Sequence, residues 1–313
     1  MRLGFAVKVL GEPGLRSHDS RRWQNGPHLS VSLAYLRDIF GYLRRVDISM
    51  YRMSSQLAPY VTRPDMPQFH HQIEECRREL AALGQVAREQ GLRLSFHPSQ
   101  YVVLNAPDEN LAARGAADIE AQAEMLEWMG LGPEAVVVVH VGGLYDDREE
   151  ARERFVRRYE RLSGIAQQRL TLENDERSFS VADTVWIHDR TGLRLVFDSL
   201  HHLNNPGGME VAEAAALALK TWPSDQRPKV HFSSPRTEMR VVQQVDPETG
   251  RKAEAIRPPI WTQHSDYVNP FEFIAFLQQV QGLRPFDVML EAKAKDLALL
   301  RLREDLQRIA SGF

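Results

Sequence analysis

LGEPGLRSHDS, residues 10–20, separates two possible folds. It follows RLGFAVKV (2–9), the first apolar run of the chain. A doubly wound dinucleotide-binding sheet would place a G-x-G-x-x-G turn at this point, because bound phosphates need backbone close to a helix N-terminus. Gly11 and Gly14 do not have that spacing. A nucleotide cofactor is therefore not expected, and the remaining pattern favours a closed barrel.

Seven further short apolar runs read as strands: VDISMYR (46–52), LRLSFH (92–97), EAVVVVH (134–140), QRLTLEN (168–174), LRLVFD (193–198), PKVHFS (228–233) and FDVMLE (286–291). Apolar residues at 3–4 spacing predict helices over 29–44, 72–90, 109–129, 148–167, 180–190, 208–220, 271–281 and 295–309. Eight alternating units predict a (β/α)8 TIM barrel in a single domain spanning residues 1–313.

The bulk composition agrees. Of the 313 residues 43% are hydrophobic and 26% charged, ordinary values for a globular chain with a sizeable core. Cys76 is the single cysteine, which excludes an internal disulfide and fits a reducing compartment. No run approaches the ~20 apolar residues of a membrane helix, and MRLGFAVKVLGEPG has no signal-peptide pattern. A monomeric cytoplasmic protein is the expectation. The net charge of −3 argues against a generally basic nucleic-acid binder but leaves room for a local basic groove.

Two connections are long. Residues 11–28 follow the first strand, and residues 234–268 follow the seventh, where VVQQV and AEAI flank a DPETG turn and predict a hairpin. Both belong to the face where barrel active sites are built. They carry Arg16, Arg21, Arg22, Arg236, Arg240, Arg251 and Lys252, which either serve the site or are solvated loop charge.

The strand ends carry the chemistry. His97, His140, Glu173, Asp198, His231 and Glu291 end or nearly end six of the eight runs. With 42 Asp and Glu and 11 His in 313 residues, about one position in six is of these types, so the pattern is far above chance. Barrel closure brings such positions together at the mouth. Three carboxylates there would repel one another without cations. Mixed imidazole and carboxylate donors suit Mn²⁺, Zn²⁺ or Fe²⁺. His201 and His264, on loops, bring the candidate ligands to eight, enough for two or three ions. The competing assignments are a core histidine for His140, a salt bridge for Glu291 and a helix cap for Asp198. His18, His28, His70, His71, His188 and His202 lack such placement and read as surface or structural.

In this setting YRMSSQLAP (51–59), HPSQYV (97–102), HVGG (140–143), LENDE (172–176), DSLHH (198–202), KVH (229–231) and EAKAK (291–295) resemble the UV-damage endonuclease family. The resemblance runs over nearly the whole chain, and its strength lies in seven motifs in order. It implies a barrel with up to three metal ions, commonly manganese, with Zn²⁺ or Mg²⁺ as alternatives. It also implies incision of damaged double-stranded DNA immediately 5′ to UV photoproducts and some other lesions. The implied ligands are His97, His140, Glu173, Asp198, His201, His231, His264 and Glu291. Glu173, Lys229, His231 and Glu291 are the implied catalytic set.

Lys229 lies two residues before His231 and so shares its side of the strand. Beside metal ions it would be neutral or, as the family pattern implies, carboxylated to a carbamate; the alternative is a phosphate contact at the rim. Gln100 and Tyr101 match the family's lesion-probing pair, an amide and a ring able to fill a gap among distorted bases. Phe5, where some members have tyrosine, is assigned a stacking contact with the lesion. Gln56 stands where a histidine can occur and is not counted as a ligand.

The expected reaction is hydrolysis leaving a 3′-hydroxyl and a 5′-phosphate. The rival readings are a metal-dependent sugar isomerase on the same barrel, an endonuclease acting at abasic sites, and a non-catalytic lesion binder with structural metals.

Overall fold

The computed structural model describes residues 1–311. Ten strands occur: β1 (Leu3–Ala6), β2 (Met50–Arg52), β3 (Arg93–Phe96), β4 (Val136–His140), β5 (Leu170–Glu173), β6 (Arg194–Asp198), β7 (Lys229–Phe232), β8 (Arg240–Val245), β9 (Lys252–Arg257) and β10 (Asp287–Leu290). Eight of them close a parallel barrel in the order β1-β10-β7-β6-β5-β4-β3-β2, with helices between successive strands. This is the TIM barrel expected. The remaining two, β8 and β9, form a separate antiparallel hairpin around the DPETG turn.

Side chains alternate along each strand between the helical layer and the barrel axis. Leu94, Phe96, Val137, Val139, Leu172, Phe197, Val230 and Leu290 join the main core with the helices. Val136, Val138 and Val196 instead pack with Trp222 in a second, smaller cluster. This two-fold period places Arg93, Ser95 and His97 in one inward row, and Lys229 with His231 in another.

The observed elements are shorter than the apolar runs, for local reasons. β1 ends at Ala6 because Val7 adopts φ 67°, outside the extended region. β2 starts late because Asp47 has φ 52°. The helix expected over 148–167 is two, Arg148–Tyr159 and Gly164–Arg169; the Ser163 hydroxyl accepts from Ala166 N–H and starts the second. Similarly, 72–90 divides at Cys76 into Gln72–Glu75 and Arg77–Glu89. A short helix, Ser199–Asn204, escaped the periodicity. Among the described residues no helix is long and apolar enough to cross a membrane.

Candidate metal centre

The inward rows end at the C-terminal mouth. Strand register sets His140 beside Glu173 and Asp198 beside His231. Glu173 is fully buried at the centre. One of its oxygens lies 3.0 Å from His97 Nε2 and 3.7 Å from His140 Nε2, and the other lies 2.7 Å from His231 Nδ1. Glu291 lies 3.5 Å from His231 Nδ1 and 3.7 Å from His264 Nδ1. His201 stands 3.9 Å from Glu173 and from Asp198. All eight residues expected as ligands therefore surround one mouth. Two subsets, His97–Glu173–His231 and Glu173–Asp198–His231–Glu291, have donor atoms within 4.8 Å of one another.

The hydrogen bonds behind these groups show what the cluster fits. His97 Nδ1 meets the Pro98 carbonyl at 3.1 Å, His201 Nδ1 the Asn174 carbonyl at 2.9 Å, and His264 Nδ1 the Glu291 carbonyl at 2.7 Å. A carbonyl only accepts, so each ring carries its proton on Nδ1 and presents a bare Nε2. The bare Nε2 of His97 then faces a Glu173 oxygen at 3.0 Å, a repulsive contact unless a proton or a metal cation lies between them. Donors about 3 Å apart are what an ion with bonds of about 2.1 Å requires. His231 Nε2, Asp198 Oδ2 and His140 Nδ1 are buried without a hydrogen-bond partner. Such orphaned atoms are costly without a ligand. The residues fit a divalent metal cluster.

The electrostatics agree. Burial drives the pKa of His97 and His231 well below the usual histidine value, and burial with the neighbouring His201 takes His140 down to about 4. These rings are neutral and ready to ligate. Burial, then Glu291 and Asp198, push the Glu173 carboxyl well above its ordinary range. Burial also acts on Glu291, yet Arg52 and the neighbouring histidines outweigh it and hold Glu291 well below that range.

Three residues were missed by a search centred on ligand types at strand ends. Arg52, at the end of β2, is ion-paired with Glu291. Asn174 locks Asp198 from both sides, accepting from its N–H at 2.9 Å and donating to its carbonyl at 3.1 Å. Glu176 lies 3.9 Å from His201 Nε2. The signals were present: Arg52 is a charge at a strand end, and Asn174 and Glu176 lie in LENDE.

One assignment is corrected, and for another residue one of two alternatives is removed. Phe5 does not reach the mouth: it is completely buried, with its ring 5.3 Å from that of Tyr51. The two-fold period turns it toward the helical layer, so it cannot stack on a lesion. Lys229 is not at the rim; it is fully buried one layer beneath His231, with Nζ donating to Ser95 Oγ at 2.8 Å. Burial, then Arg52 and Arg93, drive its pKa far below that of an ordinary lysine. The histidines set aside are elsewhere in the molecule: His28 caps a helix, and His188 and His202 bond to carbonyls.

Gln100 and Tyr101 are exposed on one wall of a cavity of about 740 Å³. Thr262, Gln263, His264 and Lys293 also line it, and His140, His201 and Glu291 connect it to the cluster. Tyr101 is 75% exposed, unusual for a ring of its size.

A family model described as UV-endonuclease UvdE matches residues 29–311. The chain belongs to this family. The UV DNA damage endonuclease of Bacillus velezensis is 32% identical over 296 residues, covering 93% of this chain and 86% of that protein. The crystal structure of SacUVDE superposes with a TM-score of 0.79 at 26% identity, over 99% of both chains. Endonuclease IV from Thermus thermophilus shares the fold, with a TM-score of 0.56 at 18% identity over 98% of this chain and 100% of its own. An endonuclease of the UvdE family thus carries its His, Asp and Glu cluster at the barrel mouth.

Proposed function

We propose that this protein is a metal-dependent endonuclease that cuts double-stranded DNA immediately 5′ to UV photoproducts and other distorting lesions, leaving a 3′-hydroxyl and a 5′-phosphate. One observation carries the metal dependence: His97 Nε2 faces the buried Glu173 carboxyl at 3.0 Å beside orphaned atoms of His140, Asp198 and His231, in a chain of the UvdE family. Two or three ions, with Mn²⁺ the first candidate, would be held by His97, His140, Glu173, Asp198, His201, His231, His264 and Glu291. When bound they supply Lewis-acid stabilisation of the reacting phosphate and activation of water.

The protein's own groups perform the rest. Glu173 directs one oxygen toward His97 and His140 and the other toward His231, so it suits a bridging role. Asn174 fixes the backbone of Asp198. Arg52 is a fixed cation beside Glu291, placed to limit repulsion among the carboxylates. Burial beneath the cluster, with Arg52 and Arg93 nearby, favours the unprotonated amine of Lys229. Addition of that amine to carbon dioxide releases one proton and yields an N-carboxylate, the modification we assign to it. Gln100 and Tyr101 would enter the gap left by displaced lesion bases, where distorted DNA is cheaper to unstack than intact duplex.

The test is nicking of supercoiled plasmid by purified protein with Mn²⁺. Irradiated plasmid is expected to relax, while unirradiated plasmid and EDTA-treated reactions do not. Equal nicking of both plasmids, or nicking unaffected by EDTA, would overturn the proposal.

A further inference from the structure

Among the described residues the hairpin β8–β9 has no third strand, and it arises from the connection that follows β7. An isolated two-stranded ribbon gains little stability of its own, so its surface chemistry is informative. At its base Arg240 and Arg257 stand directly opposite one another. Both are exposed. Like charges in that position repel across the strands. Among the described residues neither has a carboxylate within ion-pairing distance, whereas nearby Arg236 is held by Asp266 at 2.8 Å.

A third cation completes the group. Lys293 is exposed and lines the same cavity as His140, His201, His264 and Glu291. Arg236 and Arg240 lie near it, as do the carboxylates of Asp266 and Glu238. The acids of the ribbon are arranged differently. Asp246 and Glu248 lie in the turn, where the Asp246 carboxylate accepts from the N–H groups of Glu248 and Thr249. Glu254 faces Gln243 across the strands. Arg240 and Arg257 thus stand as a pair of cations at the base, and Lys293 lines the cavity that reaches the metal cluster. The hairpin is rooted there by the bridge between Pro235 and His264.

We infer that Arg240, Arg257 and Lys293 form a phosphate clamp that grips the DNA backbone beside the reacting phosphodiester. The inference rests on the endonuclease reading. The ribbon explains how a chain of net charge −3 holds a polyanion: Arg240 and Arg257 are local, set against one another, and without a carboxylate in ion-pairing distance among the described residues. A phosphate between the two arginines converts their mutual repulsion into two charge-assisted contacts.

The test is equilibrium binding of the full-length protein to a UV-irradiated duplex oligonucleotide, followed by fluorescence anisotropy across a salt series. Each phosphate contact contributes about 0.9 to the slope of log K against log salt. The pair Arg240→Gln with Arg257→Gln, which share one phosphate, is expected to flatten the slope by about 0.9, and adding Lys293→Gln by about 0.9 more. Arg240→Lys with Arg257→Lys should restore the slope, because lysine still neutralises phosphate. Circular dichroism checks that each variant is folded. A folded glutamine variant with the wild-type slope overturns the clamp while leaving the endonuclease reading intact, provided the wild type nicks irradiated plasmid. A wild type that neither binds nor nicks irradiated DNA overturns both.

Discussion

The two ends of the barrel carry buried charge in opposite ways. At the N-terminal end Asp287 is fully buried and accepts from Arg2 N–H at 2.8 Å and from the Arg93 guanidinium at 3.0 Å. Arg169 donates to the carbonyls of Gly132 and Leu131, Arg194 to those of Pro133 and Gln168, and Arg284 to those of Trp222 and Gln226. Trp222 lies against both Arg93 and Arg194. At the C-terminal mouth three buried carboxylates face imidazoles, of which burial keeps His97, His140 and His231 neutral, and ring and carboxylate atoms are left without partners. Charge that is answered by the chain itself serves the fold. Of these base groups Arg93 Nη2 alone lacks a partner, whereas at the mouth the orphaned ring and carboxylate atoms fall on the candidate ligands, and that difference points to the mouth as the candidate site.

The largest test of this contrast is Glu173→Gln. Nicking should fall by more than the ~10–100-fold typical of groups behind the ligands. The metal-free protein should melt no lower than the wild type, because its carboxylate is destabilised by burial and by Glu291 and Asp198. A large fall in metal-free stability would place the mouth with the base as structural.

Asp287→Asn probes the other end. Weakening the buried pair with Arg93 should cost about 3–5 kcal/mol in denaturant unfolding, the range for breaking such pairs. Nicking per folded molecule should not change. A loss of activity at full folding would mean that the two ends are coupled.

Metal addition sharpens the comparison further. At a hundredfold excess over its dissociation constant a ligand adds about 2.7 kcal/mol of stability. Mn²⁺ should therefore raise the melting temperature of the wild type and of Asp287→Asn alike, and raise that of Glu173→Gln much less. Calorimetric scans with and without EDTA read this directly. Equal gains in all three proteins would remove Glu173 from the ligand set.

Tyr101→Ala should have the smallest effect. An exposed ring stacking on a base contributes about 1–3 kcal/mol. The preference for irradiated over intact duplex should fall accordingly, with the melting temperature unchanged because Tyr101 is already 75% exposed. An unaltered preference in competition binding would exclude it as a lesion probe.

Much of this organisation can be read along the chain. Parallel barrel strands are buried on both faces, so they stand out as apolar runs, and a ligand residue at the end of one is conspicuous. VVVVH with His140 and LTLE with Glu173 are examples. Boundaries were harder, since the φ angles of Val7 and Asp47 that end or delay strands have no glycine to announce them. Arg52 was overlooked because it is not a ligand type, although its position at a strand end was visible.

The amino-acid sequence by itself determined the eight strand–helix units, the hairpin and the identity of the eight candidate ligands, because hydrophobic period and residue type are local properties. Only the tertiary structure decided which way each side chain points and what surrounds it. A single step in a strand turned Phe5 from the axis into the helical layer, and two steps put Lys229 beneath the mouth rather than at its rim. Closure of the barrel placed Arg52 on Glu291 across β1, and pairing of β8 with β9 set Arg240 against Arg257. Such contacts join residues far apart in the chain, so their energies depend on the closed three-dimensional arrangement and not on local pattern.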